Sequence, residues 1–94
     1  MIIAVDFDGT LQLPDKKPNQ ILIERLKNEQ RQGNIIILWT CREGKRLQEA
    51  LKFLVMNGFK PNYINENAPQ AIKMLGHNPR KVYADIYIDD KNIR

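Results

Sequence analysis

The hydrophobic positions of this chain fall into short blocks that end abruptly in polar residues. Ile2-Ile3-Ala4-Val5 is a continuous apolar run, rich in β-branched side chains, that stops at Asp6. A strand buried on both faces of a parallel sheet reads this way. Ile35-Ile36-Ile37-Leu38-Trp39 is a second such run, ending at Thr40, and Trp39 reads most simply as core, with the edge of a substrate pocket as the alternative. Between the two lies a loop over residues 11–17, with Pro14 and Pro18 as breakers. A helix then starts at Pro18 or Asn19, carries Ile21, Leu22 and Leu26 on its apolar side, and stops at Gly33. From about Glu43, Leu47, Ala50, Leu51, Leu54 and Val55 recur at three- and four-residue spacing, which predicts a second helix closed by Asn57-Gly58.

The remaining signals are weaker. Residues 62–65 predict a third strand, and Pro69 to Leu75 a short helix closed by Gly76. Residues 82–88 alternate towards a last strand that ends at Asp89-Asp90. Strands alternating with helices imply an α/β domain with a mostly parallel sheet and right-handed crossovers. With 94 residues and neither linker nor repeat, a single domain is expected.

Composition narrows this little. No apolar run approaches the ~20 residues that span a bilayer. Asp6 and Asp8 interrupt the opening run before a signal-peptide core is complete. A soluble, cytoplasmic protein without a membrane partner is therefore the default expectation. The single cysteine, Cys41, excludes an internal disulfide and a multi-cysteine zinc site, and is expected to pack as a small hydrophobe. The net charge of +4 suits a polyanion, but it is spread along the chain apart from Arg42, Lys45 and Arg46. A nucleic-acid partner is compatible with that charge, although nothing in the pattern points to one.

The chemistry gathers where the strands end. The three strongest strands run into Asp6 and Asp8, Thr40 and Arg42, and Asp89 and Asp90. In a parallel α/β sheet these carboxyl ends share one edge, where ligands bind. Two carboxylates ~4 Å apart repel by about 4 kcal/mol at an effective dielectric of 20. Either some of them protonate, or a cation lies between them. Oxygen ligands without His or Cys favour a hard ion such as Mg²⁺. Asp6 and Asp8, two positions apart, project to one side of an extended chain, with Phe7 pointing into the core. One carboxylate can then attack a phosphoryl group while the other moves protons. Gly9 permits a sharp turn and close approach of backbone N–H groups to phosphate, and the Thr10 hydroxyl can hold that turn.

On these residues the chain resembles the haloacid dehalogenase superfamily of phosphatases. Asp6-Phe7-Asp8-Gly9-Thr10 fits the Asp-x-Asp-x-Thr strand end that opens that superfamily, and Thr40 fits its second motif. A lysine and the acidic pair Asp89-Asp90 fit the third and fourth. The stretch Lys81-Val82-Tyr83-Ala84-Asp85-Ile86-Tyr87-Ile88-Asp89-Asp90-Lys91-Asn92 looks like that of small members of phage and bacterial type. The resemblance covers essentially the whole chain. It implies a Rossmann-like, three-layer fold around a mostly parallel sheet, with no cap domain and a minimal C-terminal end. It also implies a phosphomonoester hydrolase. Asp6 would attack phosphorus, and Asp8 would serve as general acid and then base. Thr40 would hold a phosphoryl oxygen, with Gly9 and Arg42 as further phosphate contacts, and Lys81, or its rival Lys73, would neutralise charge. Mg²⁺ would bind the Asp6 carboxylate, the Asp8 carbonyl and Asp90, with Asp89 supporting. Cap-less members take bulky substrates or borrow a lid from a second subunit, so a homo-oligomer is compatible with this reading.

Two other functions compete. A phosphoryl-accepting receiver domain uses similar residues, but its phospho-acceptor ends a middle strand, where this chain has Thr40. A catalytically degenerate domain that binds a partner or nucleic acid fits the basic charge, yet gives no reason to keep mutually repelling acids.

Overall fold

Four parallel strands form the centre of the molecule: β1 (Ile2–Val5), β2 (Ile35–Leu38), β3 (Tyr63–Ile64) and β4 (Ile86–Ile88). Their spatial order is β3-β2-β1-β4. The structure is a computed structural model and describes residues 1–91. Asn92, the end of the stretch quoted for the resemblance, lies outside the described residues.

Side-chain alternation along β1 and β2 divides the apolar residues between two cores. Ile3, Val5, Ile36 and Leu38 face one side, with Leu22, Ile23 and Leu26 of α1 (Gln20–Arg31) and Ala50 and Leu54 of α2 (Gly44–Met56). Ile2, Ala4 and Ile37 face the other, with Ala71 of α3 (Pro69–Leu75), Val82 and Ala84. This makes an α/β fold, as the alternating pattern implied, with the three layers that the resemblance implied. No helix among the described residues is long and apolar enough to cross a membrane.

Local chemistry sets the helix ends. Asn19 caps α1, its side chain accepting a hydrogen bond from the Leu22 N–H at 3.3 Å. After α2, Gly58 takes φ +74° and donates to the Val55 carbonyl at 2.9 Å, while Phe59 N–H reaches the Leu54 carbonyl at 2.9 Å. That pairing is a Schellman motif, and it brings buried Phe59 into the same core as Leu54.

Three placements differ from the sequence reading. Ile21 is 86% exposed and Ile23 takes its place in the core. At about 100° per residue, Leu22, Ile23 and Leu26 form one stripe and Ile21 lies on the far side of the helix. Val55 is likewise exposed, because α2 centres its buried face on Ala50 and Leu54. The last strand is three residues long, shorter than 82–88. Upstream of it side chains take over the backbone pairing. The Asp85 carboxylate accepts from Ile2 N–H at 2.7 Å, and the Tyr87 hydroxyl accepts from Ala84 N–H at 3.1 Å.

Candidate active site

The ladder between β1 and its neighbours runs one residue beyond the strand. Asp6 N–H donates to the Ile88 carbonyl at 2.9 Å, and Trp39 N–H to the Val5 carbonyl at 2.8 Å. This fixes Asp6 between the ends of β2 and β4. The chain order reverses between β1 and β4, and at such a switch point a parallel α/β sheet opens a crevice. A cleft of about 260 Å³ lies there, lined by Asp6, Trp39, Thr40, Cys41, Tyr87, Ile88 and Asp89.

After Asp6 the chain turns. Phe7 drops into the core and meets Phe53 edge to face, ring centroids 5.6 Å apart. Gly9 adopts φ +78°, and Gly9 N–H donates to the Gln12 carbonyl at 2.8 Å. Thr10 and Gln12 both donate from their backbone N–H groups to the Phe7 carbonyl. These backbone bonds hold the turn. The Thr10 hydroxyl, expected to do so, is fully buried without a hydrogen-bond partner among the described residues.

The Asp6 carboxyl is pushed above the usual carboxylate range. Burial is the main cause, and the charges of Asp8, Asp90 and Asp89 add to it. A hydrogen bond from Phe7 N–H at 2.8 Å acts in the opposite sense. Asp90 is felt more strongly than Asp89. Its side chain lies against Gly9: a methyl group added there would sit 3.5 Å from Asp90 Cβ and 3.7 Å from Oδ2. Asp89 faces the cleft, and its Oδ1 also accepts from Lys91 N–H at 2.8 Å.

Asp8 has a different environment. Its carboxylate is forked by Arg42, with Nη2 2.8 Å from Oδ1 and Nε 3.0 Å from Oδ2. The hydrogen bond from that guanidinium holds Asp8 below the usual range despite some burial. Arg42 is itself fixed, lying 4.8 Å from the Phe7 ring centroid and donating to the Arg46 carbonyl at 3.1 Å. Asp8 therefore stands outside the cleft lining, although its charge reaches Asp6. Regular strand alternation ends where the chain enters the turn, and the two acids have different surroundings there. Arg42, expected on phosphate, is bound to Asp8.

Thr40 is held by a residue the sequence reading passed over. Asn65, at φ +52°, accepts from Thr40 N–H at 2.8 Å and donates to the Thr40 carbonyl at 2.9 Å. The Thr40 hydroxyl accepts from Arg42 N–H at 3.1 Å. Asn65 follows the last residue of β3, so the rule that polar strand ends build the site would have found it had the weak strand been trusted.

The two candidate lysines separate. Lys81 Nζ lies 5.7 Å from the centroid of the Tyr87 ring, at the cleft wall. Lys73 is exposed in the last turn of α3, whose Gln70, Ala71 and Met74 share a groove with Met1 and Ile2 at the opposite end of β1. Trp39, expected in the core, is 41% exposed, and Cys41, expected to be packed, is exposed. Both follow the last residue of β2, Leu38, and line the cleft at that end of the sheet.

The donor set suits a hard cation. The Asp6 and Asp90 carboxylates and the Asp8 carbonyl would all offer oxygen, and Mg²⁺ binds through one or two carboxylates with water and substrate phosphate completing the octahedron. Among the described residues no three His, Cys, Asp or Glu side chains are gathered tightly enough to enclose a metal by themselves. A Mg²⁺ site of that shared kind does not require them to be.

No family model matches the chain, and no curated protein does. A solved structure, that of a conserved protein coded by a locus from Bacteroides thetaiotaomicron, is similar over 99% of this chain and 78% of its own, with 36% identity and a TM-score of 0.78.

Proposed function

We propose that this chain, which belongs to the same family as the conserved Bacteroides thetaiotaomicron protein, is a Mg²⁺-dependent phosphomonoester hydrolase of the haloacid dehalogenase type, with Asp6 as its nucleophile. The observation that carries the reading is the raised, acid-surrounded Asp6 carboxyl at the switch point of the sheet. A carboxylate in that position is unfavourable alone and becomes favourable beside a cation and a phosphoryl group. A carboxyl in a cleft whose burial and acidic neighbours oppose its ionisation is a functional-site candidate.

In the proposed reaction an Asp6 carboxylate oxygen forms a bond to phosphorus as the bond to the leaving oxygen breaks. The leaving oxygen takes a proton from Asp8, and a water that Asp8 then deprotonates attacks phosphorus and releases Asp6 and inorganic phosphate. Bound between Asp6, Asp90 and the Asp8 carbonyl, Mg²⁺ would supply charge neutralisation for the phosphoryl oxygens. Arg42 gives Asp8 its direction. While the fork holds, Asp8 is ionised and can only accept a proton. It becomes a donor when the guanidinium shifts to the phosphoryl group and Asp8 takes up a proton from solvent. Thr40, positioned by Asn65, offers its hydroxyl to the phosphoryl oxygen facing the cleft.

A second reading, a degenerate domain that binds a partner or nucleic acid, draws on the Arg42–Asp8 fork alone, which ties up the proton-moving acid. A panel of phosphomonoesters incubated with and without Mg²⁺ separates the two. Metal-dependent phosphate release supports hydrolysis. No release from any member, with Mg²⁺ binding demonstrated by calorimetry, favours the binding-only domain.

A further inference from the structure

The cleft beside Asp6 has an aromatic wall that phosphoryl transfer does not require. Trp39 follows Ile37 by two positions, and Ile37 packs into the core on the α3 side of the sheet. Tyr87 pairs in register with Ala4 and packs against that same core. Asp6 follows Ala4 by two positions. The parity of three strands thus brings Trp39, Tyr87 and Asp6 to one side of the sheet, where all three line the cleft. The two rings stand 5.5 Å apart, tilted by 57°.

Tyr87 is held rigidly. Its hydroxyl donates to the Val82 carbonyl at 2.6 Å and accepts from Ala84 N–H at 3.1 Å. Trp39 leans on this fixed ring and leaves 41% of itself open, directly after a strand whose last three residues are fully buried. A large apolar surface left wet at the mouth of a cleft marks a place for a ligand. Aromatic faces accept flat rings by stacking, and Lys81 over Tyr87 adds positive charge to that wall. The volume of about 260 Å³ falls below the roughly 300–1,000 Å³ of pockets for drug-sized ligands, so it suits one ring system beside a phosphate.

We propose that the Trp39–Tyr87 wall selects phosphomonoesters whose leaving alcohol carries a flat heteroaromatic ring, the nucleoside monophosphates, over aliphatic sugar phosphates. This rests on the hydrolase reading of the same cleft. The phosphate end meets Asp6 and Thr40, and the ring lies on the exposed face of Trp39.

The test is calorimetry on the full chain in chelator, where no metal-dependent turnover occurs, with adenosine 5′-monophosphate and ribose 5-phosphate as probes. Trp39 is the sole tryptophan, so quenching of its fluorescence reports the same event. Stacking of a base on an aromatic side chain is worth roughly 5- to 150-fold in affinity. The nucleotide is expected to bind at least about fivefold tighter than the sugar phosphate and to quench Trp39. Trp39→Leu, and independently Tyr87→Leu, each checked for folding by circular dichroism, should shrink that advantage while ribose 5-phosphate binding stays unchanged. Equal binding of both probes, no nucleotide binding at millimolar concentration, or a preference that survives both substitutions overturns the proposal. A preference that holds while no phosphoester is hydrolysed with Mg²⁺ sinks the hydrolase reading and leaves the aromatic selectivity standing.

Discussion

Asp6 and Asp8 sit two residues apart and are shifted in opposite directions, Asp6 upward by burial and neighbouring acids, Asp8 downward by Arg42. A carboxyl whose folded pKa is raised stabilises the fold below its unfolded value, and that contribution is lost as pH rises through the folded value. At neutral pH the ionised Asp6 therefore destabilises the metal-free protein. Asp6→Asn is expected to raise stability in chelator, by no more than about 1 kcal/mol because water screens the site. Urea melts at neutral pH check this, and a loss of stability would contradict it. Asp8, whose folded pKa is lowered, contributes stability above its ordinary value of 3.8, and that is lost as pH falls. With Asp6 removed, the Asp8 contribution is no longer offset, so the acid limb of stability against pH should steepen between roughly pH 5 and 3. An unchanged limb would show that the Asp6 carboxyl is not raised in the folded chain. The buried, unpartnered Thr10 hydroxyl gives a separate test. Thr10→Val should be neutral or stabilising, whereas a lost hydrogen bond would cost about 1 kcal/mol. The acids themselves were legible in the chain because repelling carboxylates at strand ends are rare without a use. Their opposite environments were not legible, since these depend on where a turn begins and on which side Arg42 approaches.

The element ends carry the site, and β3 shows how. It is two residues long, yet Asn62 and Asn65 extend its pairing with β2 through their side chains. Asn65→Ala removes both bonds to the Thr40 backbone. It should cost about 1 kcal/mol of stability, these bonds being exposed, and lower kcat with little change in thermal behaviour beyond that. Activity unaffected by Asn65→Ala would mean that Thr40 needs no clamp. Periodicity located every strand and helix among the described residues, because apolar runs and glycine stops are local signals. It misplaced Ile21 for Ile23 and Val55 for the centre of α2, since three adjacent apolar residues on a helix cannot all face the core. It also read residues 82–85 as strand, where the Asp85 carboxylate and the Tyr87 hydroxyl substitute for backbone partners in a way that leaves no periodic trace. Trp39 is the instructive case. Its apolar character favoured burial over a pocket edge, but it makes the last bond of the ladder beyond β2 and lines the cleft, 41% exposed.

At the scale of the whole molecule, two small cores hold a sheet whose carboxyl edge gathers Asp6, Asp8, Thr40, Asp89 and Asp90 from three separated stretches of chain. That convergence followed from the strand–helix alternation alone, because parallel strands share one edge whatever their order. The order β3-β2-β1-β4, which puts the crevice between β1 and β4, needed the structure. A cation bound only by the folded edge links folding to metal. Mg²⁺ at a hundred times its dissociation constant should add about 2.7 kcal/mol to wild-type stability and far less to Asp6→Asn. Equal shifts in both would place the metal elsewhere.

The most direct measurement is the Mg²⁺-dependent release of 4-nitrophenol from its phosphate ester by wild type and Asp6→Asn, at matched concentration and confirmed folding. Loss of a covalent nucleophile is expected to lower kcat by at least about a thousandfold. Metal-dependent release by Asp6→Asn within a few fold of wild type would contradict the assignment of Asp6 as the nucleophile.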